Sequence, residues 1–282
     1  MRILVTGASG RAGWVTLQHL VREGFDCIGT DLSLPTSKIC PFIVANLTHR
    51  EIAYSLLEGV DAIVHFGNIP SLGHGNPQNI YSENITINGN LFQAAHETGI
   101  QKIIFASSIQ VMGSGNPYSN HTPFEGGYLP LDGNSPADPR NLYALSKANT
   151  EELLKLFVKL GLPSAIAIRF PFLLFKKPGY AARNLMKASD SRVREAFSLL
   201  QGDDVATLVA ACLRTELPGY RCYFPSCREF MADEGIEVLR QKYFSHLELR
   251  KDLNTIGSFV DISEITRDTG WEPTEINIES HD

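Results

Sequence analysis

The sequence predicts an α/β fold, a doubly wound parallel sheet with a small, mostly helical C-terminal cap. Three observations carry that expectation. Short apolar runs alternate with amphipathic stretches through the first half of the chain. The runs are nearly continuous Val, Ile and Phe, as in strands covered on both faces. A glycine-spaced turn, Thr6-Gly-Ala-Ser-Gly-Arg-Ala-Gly13, joins the first run to the first amphipathic stretch.

Taken in order, strands are expected at Arg2–Thr6, Asp26–Thr30, Phe42–Ala45, Ala62–Phe66 and Lys102–Ala106, with helices at Gly13–Glu23, His49–Leu57 and Asn84–Thr98. Alternation at this spacing implies parallel neighbours joined by right-handed crossovers. A Gly-, Asn-, Pro- and Ser-rich stretch, Gly113–Asp138, then breaks the rhythm and reads as a loop, with Tyr118, His121 and Phe124 suiting either a lid or a surface excursion. A helix follows, opened by Asn141 and carrying Tyr143 and Lys147. Ser164–Arg169 and Arg221–Pro225 read as further strands. Ala181–Leu200 and Met231–Leu247 read as helix-rich and fall outside the strand–helix rhythm. The expected division is therefore a sheet domain over 1–170, completed by a helix and strand from about 200–226, with 171–199 and 227–282 forming the cap over the strand ends.

Composition narrows the function classes. The 282 residues are 43% hydrophobic, ordinary for a globule with a sizeable core. A formal charge of -6 gives no electrostatic reason to expect nucleic acid or an anionic membrane as partner. No apolar run approaches the ~20 residues of a membrane span, and none reads as a signal peptide. The five cysteines are scattered without a Cys-x-x-Cys pair, and the eight histidines show no ligand spacing with them. No metal site or disulfide framework is expected, and a reducing cytoplasm is the expected location.

The glycine turn points to a bound anion. Glycines at 7, 10 and 13 permit a tight turn, close approach of a pyrophosphate, and close packing of helix on strand. The helix N-terminus offers its unpaired N–H groups and partial positive charge. After a first strand and before a helix, this is the dinucleotide site of a Rossmann-type sheet. Asp31 ends the second strand 18 residues after Gly13, placed to accept the adenosine ribose hydroxyls. The same carboxylate repels a 2′-phosphate, so NAD is favoured. Arg11 at the helix start keeps NADP open.

Tyr143 and Lys147 are four residues apart and share a helix face. A free phenol ionises near pH ~10, and a neighbouring cation favours the phenolate. Alone, the spacing also fits an ordinary amphipathic helix.

With these residues in place, the chain resembles the extended short-chain dehydrogenase/reductase family, the NAD-dependent epimerase/dehydratase group, along nearly its whole length. Thr6 to Gly13 is similar to that family's cofactor loop, with Gly7, Gly10, Arg11, Ala12 and Gly13 as implied cofactor contacts and Asp31 as the ribose-binding acid. Asn46-Leu47 stands where the family has Asp-Leu beside the adenine. Phe66-Gly67 resembles the segment lining the cofactor after the fourth strand, Asn84 a cofactor-side Asn, and Phe170 a residue of the Arg169-Phe-Pro171 motif. Phe105-Ala-Ser-Ser108 resembles the strand-end motif whose second Ser is catalytic. Tyr128-Leu-Pro-Leu-Asp132, Asp203-Asp-Val-Ala206 and Gly270-Trp-Glu-Pro273 also have counterparts. The resemblance implies a catalytic set of Ser108, Tyr143 and Lys147. Tyr143 would take a proton from a substrate hydroxyl as hydride passes to nicotinamide. Lys147 would bind the nicotinamide ribose and lower the tyrosine pKa, while Ser108 would hold the substrate oxygen.

Departures from the family narrow the substrate. Ile109 and Gln110 occupy the places of the Asp-Glu pair that family dehydratases use to eliminate water, so dehydration is disfavoured. Arg169 to Asp203 spans 34 positions, about half the stretch that builds the nucleotide clamp of nucleotide-sugar epimerases. That short form is similar to the sugar and uronate dehydrogenases, although their Asn-His pair after the serine is Ile109-Gln110 here. Ser71, Ser108, Ile109, Gln110, Tyr143 and Arg183 are the expected substrate contacts. Arg183 suits either a substrate carboxylate or solvent, and His74, a loop histidine, suits either the substrate or, more often, solvent. The leading expectation is an NAD-dependent oxidoreductase acting on a small sugar-type substrate, with a nucleotide-sugar epimerase holding NAD tightly as the alternative. A cofactor-sensing protein without catalysis is the third reading. Family members pair through the helices at Asn84–Thr98 and around Tyr143, so a homodimer is expected.

Overall fold

The computed structural model describes residues 1–114, 122–175 and 189–276. Tyr118, His121, Arg183 and the first part of the expected helix-rich segment lie outside those residues. In chain order the first strands are β1 (Arg2–Thr6), β2 (Asp26–Asp31), β3 (Phe42–Val44), β4 (Ala62–His65) and β5 (Lys102–Ser108). They are followed by β6 (Tyr128–Leu129), β7 (Ser164–Phe170), β8 (Leu173–Leu174), β9 (Leu200–Gln201), β10 (Gly219–Tyr223) and β11 (Glu248–Leu249). Seven of these form one parallel sheet in the order β10-β7-β5-β4-β1-β2-β3. This is the doubly wound, Rossmann-type topology that the strand–helix alternation predicts.

The chain runs outward from β1 through β2 to β3, then returns to the other side of β1 for β4. That reversal leaves a crevice beyond the carboxyl ends of β1 and β4, where open parallel sheets bind their ligands. Registers align those ends: Thr6 is opposite both Thr30 and His65, and Ser108 is opposite Phe170.

Alternation within the strands divides the core between two faces. Ile3, Val5, Ala62 and Val64 pack to one side, with Leu17 and Leu20 of α1 (Arg11–Arg22) and Leu208 and Cys212 of α6 (Gly202–Arg214). Leu4 and Ile63 point to the other, against α3 (Pro77–Glu97) and α4 (Leu142–Lys159) through Leu91, Phe92, Leu154 and Phe157. The short α2 (Arg50–Leu56) adds Ala53 and Leu56 to that second layer. Leu17 and Leu20, three positions apart on α1, form its buried stripe.

The elements differ from expectation mainly at their ends. Helix α3 begins seven residues before Asn84, because Asn76 caps it by accepting the Gln78 N–H at 2.9 Å and Pro77 fits the first turn. Asn141 does open α4, its side chain accepting the Ala144 N–H at 2.8 Å. The stretch expected as a loop contains β6, paired in parallel with β11. A second parallel pair joins β8 to β9, so this part of the chain is less purely helical than expected. Its helices are α5 (Asp190–Arg194), α7 (Ile236–Tyr243), α8 (Leu253–Ile256) and α9 (Ser263–Thr269). They gather around a buried aromatic cluster in which Phe197, Phe244 and Phe259 meet edge to face and tilted. No helix among the described residues is long and apolar enough to cross a membrane.

Candidate active site

The turn after β1 is built so that only glycine fits. Gly7 has φ +65, and a Cβ there would stand 2.5 Å from the Phe66 carbonyl carbon. A Cβ on Gly13 would stand 2.1 Å from the Gly7 carbonyl oxygen. The turn therefore lies directly against both α1 and the end of β4. Gly10 precedes α1 without a side-chain cap, so the helix's first-turn N–H groups keep no side-chain acceptor. Gly7, Gly10, Arg11, Ala12 and Gly13 all line one cavity of about 700 Å³. Asp31 closes the edge of the turn, accepting the Ser9 N–H at 2.9 Å and the Leu32 N–H at 2.6 Å. An uncapped helix start, backbone too close for side chains and a carboxylate at the second strand end together fit a dinucleotide.

Ser108, Tyr143 and Lys147 meet on the wall of the same cavity. Ser108 sits at the last position of β5 and caps the 3₁₀ turn Ile109–Met112 by accepting the Gln110 N–H at 3.2 Å. Its hydroxyl also lies close enough to the Tyr143 phenol to favour the phenolate. Lys147 lies one turn along α4, with Nζ 5.7 Å from the Tyr143 ring centroid and 4.7 Å from that of Phe105. It donates to Asn68 Oδ1 at 2.9 Å and to the Ala106 carbonyl at 2.8 Å.

Electrostatics here run against one expectation. Burial pushes Tyr143 up to about 12, opposed by Ser108 and reinforced by the charge of Glu195. Lys147 is not among the groups that lower it. Desolvation takes Lys147 itself down to about 7, with Glu151 opposing, and its ammonium is committed to Asn68 and Ala106.

A buried polar ladder fixes these side chains. Asn84 donates to Ser146 Oγ at 3.2 Å, and one turn further Asn88 donates to Thr150 Oγ1 at 2.7 Å. The matched four-residue spacing on α3 and α4 sets the rotation of α4, and with it where Tyr143 and Lys147 point. Asn88 Oδ1 accepts from His65 Nε2 at 2.7 Å and from Asn68 Nδ2 at 2.8 Å, while His65 Nδ1 faces Thr6 Oγ1 at 2.6 Å. Desolvation holds His65 neutral, near 3. Beneath Ser108, Glu151 takes a two-pronged pair from Arg169 at 3.0 and 2.8 Å and a bond from Ser107 at 2.6 Å.

Most residues singled out in the sequence come together on the cavity: besides those above, Asn46, Leu47, Phe66, Gly67, Ile109, Gln110 and Phe170. Asn46 Oδ1 already accepts the Thr48 N–H and hydroxyl, at 3.0 and 2.8 Å. Two others stand apart from that wall. Asn84 is not on the wall; its amide is spent on Ser146 and on both backbone groups of Ile69, so it pins the loop after β4. Ser71 is also off the wall, bonded to His74 Nδ1 at 2.9 Å, and it is His74 that lines the cavity. Arg183 lies outside the described residues. Sequence reasoning missed Asn68 and Glu195. Asn68 follows the recognised Phe66-Gly67, which was its only signal; Glu195 had none.

The chain matches the model of the NAD dependent epimerase/dehydratase family over residues 3–174. It is 31% identical over 160 residues to a uronate dehydrogenase of Pseudomonas putida, covering 55% of each chain. It is 30% identical over 173 residues to a putative UDP-glucose 4-epimerase of Methanocaldococcus jannaschii, covering 58% of this chain and 53% of that one. The chain thus spans about half the length of these curated relatives. Among solved structures, a short-chain dehydrogenase/reductase superfamily protein from Agrobacterium tumefaciens with bound NAD superposes with a TM-score of 0.71 at 17% identity, covering 98% of this chain and 93% of that one. That likeness shows the fold.

Proposed function

This chain belongs to the NAD dependent epimerase/dehydratase family, and from that premise we propose that it is an NAD-linked oxidoreductase acting on a sugar-type hydroxyl or carbonyl. The observation that carries the reading is the convergence of Ser108, Tyr143 and Lys147 on the wall of the glycine-turn cavity, with Lys147 one helical turn from Tyr143. The first-turn N–H groups of α1 would hold the pyrophosphate and Asp31 the adenosine ribose, which favours NAD over its 2′-phosphorylated form. When bound, the nicotinamide supplies the acceptor for the hydride that leaves the carbinol carbon.

The chain's own residues handle the proton and the geometry. Ser108 Oγ orients the substrate oxygen and donates to the phenolate of Tyr143. Tyr143 removes the hydroxyl proton during oxidation and returns it during reduction. Lys147 is the only cationic side chain next to it among the described residues on the wall. Asn68 fixes where that ammonium sits. Ile109 and Gln110 supply no acid–base pair for dehydration.

The short stretch between Arg169 and Asp203 supports a substrate smaller than a nucleotide sugar, and so a dehydrogenase over an epimerase. The two differ in a net product: a dehydrogenase accumulates reduced nicotinamide, whereas an epimerase consumes what it makes. The five cysteines are all free, which suits work in a reducing cytoplasm. Leu156 on α4 and Leu160 at its C-cap stand 47% and 53% exposed, an apolar strip that favours pairing of two copies there. The test of the catalytic reading is Tyr143→Phe against a panel of aldoses, uronates and polyols with NAD. The reading requires turnover by the native protein and its loss in the variant; equal rates would refute it.

A further inference from the structure

We propose that Glu195 is a specificity-determining residue, a carboxylate in the substrate end of the cavity that selects uncharged polyhydroxy substrates over those bearing a carboxylate. The inference rests on the oxidoreductase reading above and deepens it. Glu195 ends the short helix α5 and shares the cavity wall with Ser108, Tyr143, Pro171 and Phe172. Its Oε2 accepts the Phe172 N–H at 3.0 Å, which holds the side chain toward the cavity. The carboxylate is close enough to Tyr143 for its charge to bear on the phenol.

The other charged groups on the described wall do not balance it. Arg11 belongs to the glycine turn, where its guanidinium lies 5.2 Å from the Phe175 ring centroid. Lys147 is held by Asn68 and Ala106. Arg192, on the same helix as Glu195, turns away to the Phe197 and Ser198 carbonyls at 2.6 and 3.0 Å. Asp31 and Glu83 add further negative charge along the wall. A substrate hydroxyl can donate to Glu195. A substrate carboxylate there meets a like charge in a partly desolvated site.

The discrimination is pH-dependent. Burial pushes Glu195 up to about 7, opposed by the Phe172 N–H, Arg192 and Arg194. Among the described residues, Tyr143 is the titratable group that faces it from α4. Glu195 therefore gains charge as pH rises through neutrality, while a uronate is anionic throughout. Any accompanying change in the basicity of Tyr143 acts on both substrates and cancels in their ratio.

The experiment uses the full chain with NAD and matched pairs, galactose with galacturonate and glucose with glucuronate. It compares kcat/KM in native protein, Glu195→Gln and Glu195→Asp between about pH 6 and about pH 8. The native protein is expected to favour the aldose, with a ratio that rises with pH. Glu195→Gln should lower that ratio by roughly 10-fold and flatten its pH dependence, whereas Glu195→Asp should keep both. A native preference for the uronate, or a ratio unchanged in Glu195→Gln while both rates fall together, overturns the proposal. No reduction of NAD with either pair or with any other aldose, uronate or polyol of the wider panel refutes the oxidoreductase reading itself and takes this inference with it.

Discussion

Lys147 donates a hydrogen bond to Asn68 at 2.9 Å, joining α4 to the loop after β4 across 79 positions of sequence. The bond fixes the ammonium where β4, β5 and α4 converge. Asn68→Ala removes that acceptor and leaves a buried cation with one protein partner. Cofactor affinity, measured by quenching of protein fluorescence with NAD, is expected to weaken about 10-fold, with kcat falling by a similar factor. Unchanged binding and turnover would show that Ala106 alone positions Lys147.

Asp31 is expected to set the cofactor preference. Its carboxylate takes the Ser9 N–H on one oxygen and the Leu32 N–H on the other, so Asp31→Asn keeps one of the two bonds while removing the charge that opposes a 2′-phosphate. The ratio of kcat/KM for NAD to that for NADP should fall at least ~10-fold. Steady-state assays with both cofactors check this, and an unchanged ratio would move the selectivity elsewhere, to Arg11 first.

Stability should depend on pH through His65. Burial lowers its folded pKa to about 3 from an ordinary value near 6.5. Below pH ~6.5 the unfolded chain takes up a proton that the folded chain refuses, so stability present at neutral pH is lost as pH falls toward 3. Once fully developed the slope approaches ~1.4 kcal/mol per pH unit. Urea unfolding at successive pH values between about 7 and about 5 should show a smaller loss in His65→Gln than in the native chain. Parallel curves would count against the neutral buried imidazole.

Gly13→Ala should disrupt the turn, since the added Cβ would lie 2.1 Å from the Gly7 oxygen. Backbone must shift, at a cost of roughly 1–3 kcal/mol or more. The melting temperature should drop and NAD should no longer raise it. A variant still stabilised by NAD would place the cofactor away from this turn.

What the sequence made legible follows from local physics. A glycine turn between an apolar run and an amphipathic helix, and a Tyr–Lys pair at helical spacing, each report geometry within a few residues. Ser108 was legible through the resemblance of Phe105-Ala-Ser-Ser108 to the family's strand-end motif; the strand itself runs two residues past its expected end at Ala106. The partners of Asn84 were not legible, because a buried Asn looks the same in sequence whether its amide meets a ligand or, as here, Ile69 and Ser146. Glu195 gave no signal: it ends a five-residue helix, too short for a periodic pattern, and only tertiary packing brings it to Tyr143. The pairs β6–β11 and β8–β9 were invisible for a related reason, since two-residue strands carry no alternation.

The central claim is that Ser108, Tyr143 and Lys147 support net oxidation of a sugar-type substrate by NAD. Its most direct measurement is the amount of reduced nicotinamide formed per protein chain, followed by near-ultraviolet absorbance with an aldose panel. The account predicts accumulation well beyond one equivalent by the native protein and essentially none by Tyr143→Phe. Turnover of a sugar without net reduced nicotinamide, or equal accumulation by the variant, would contradict it.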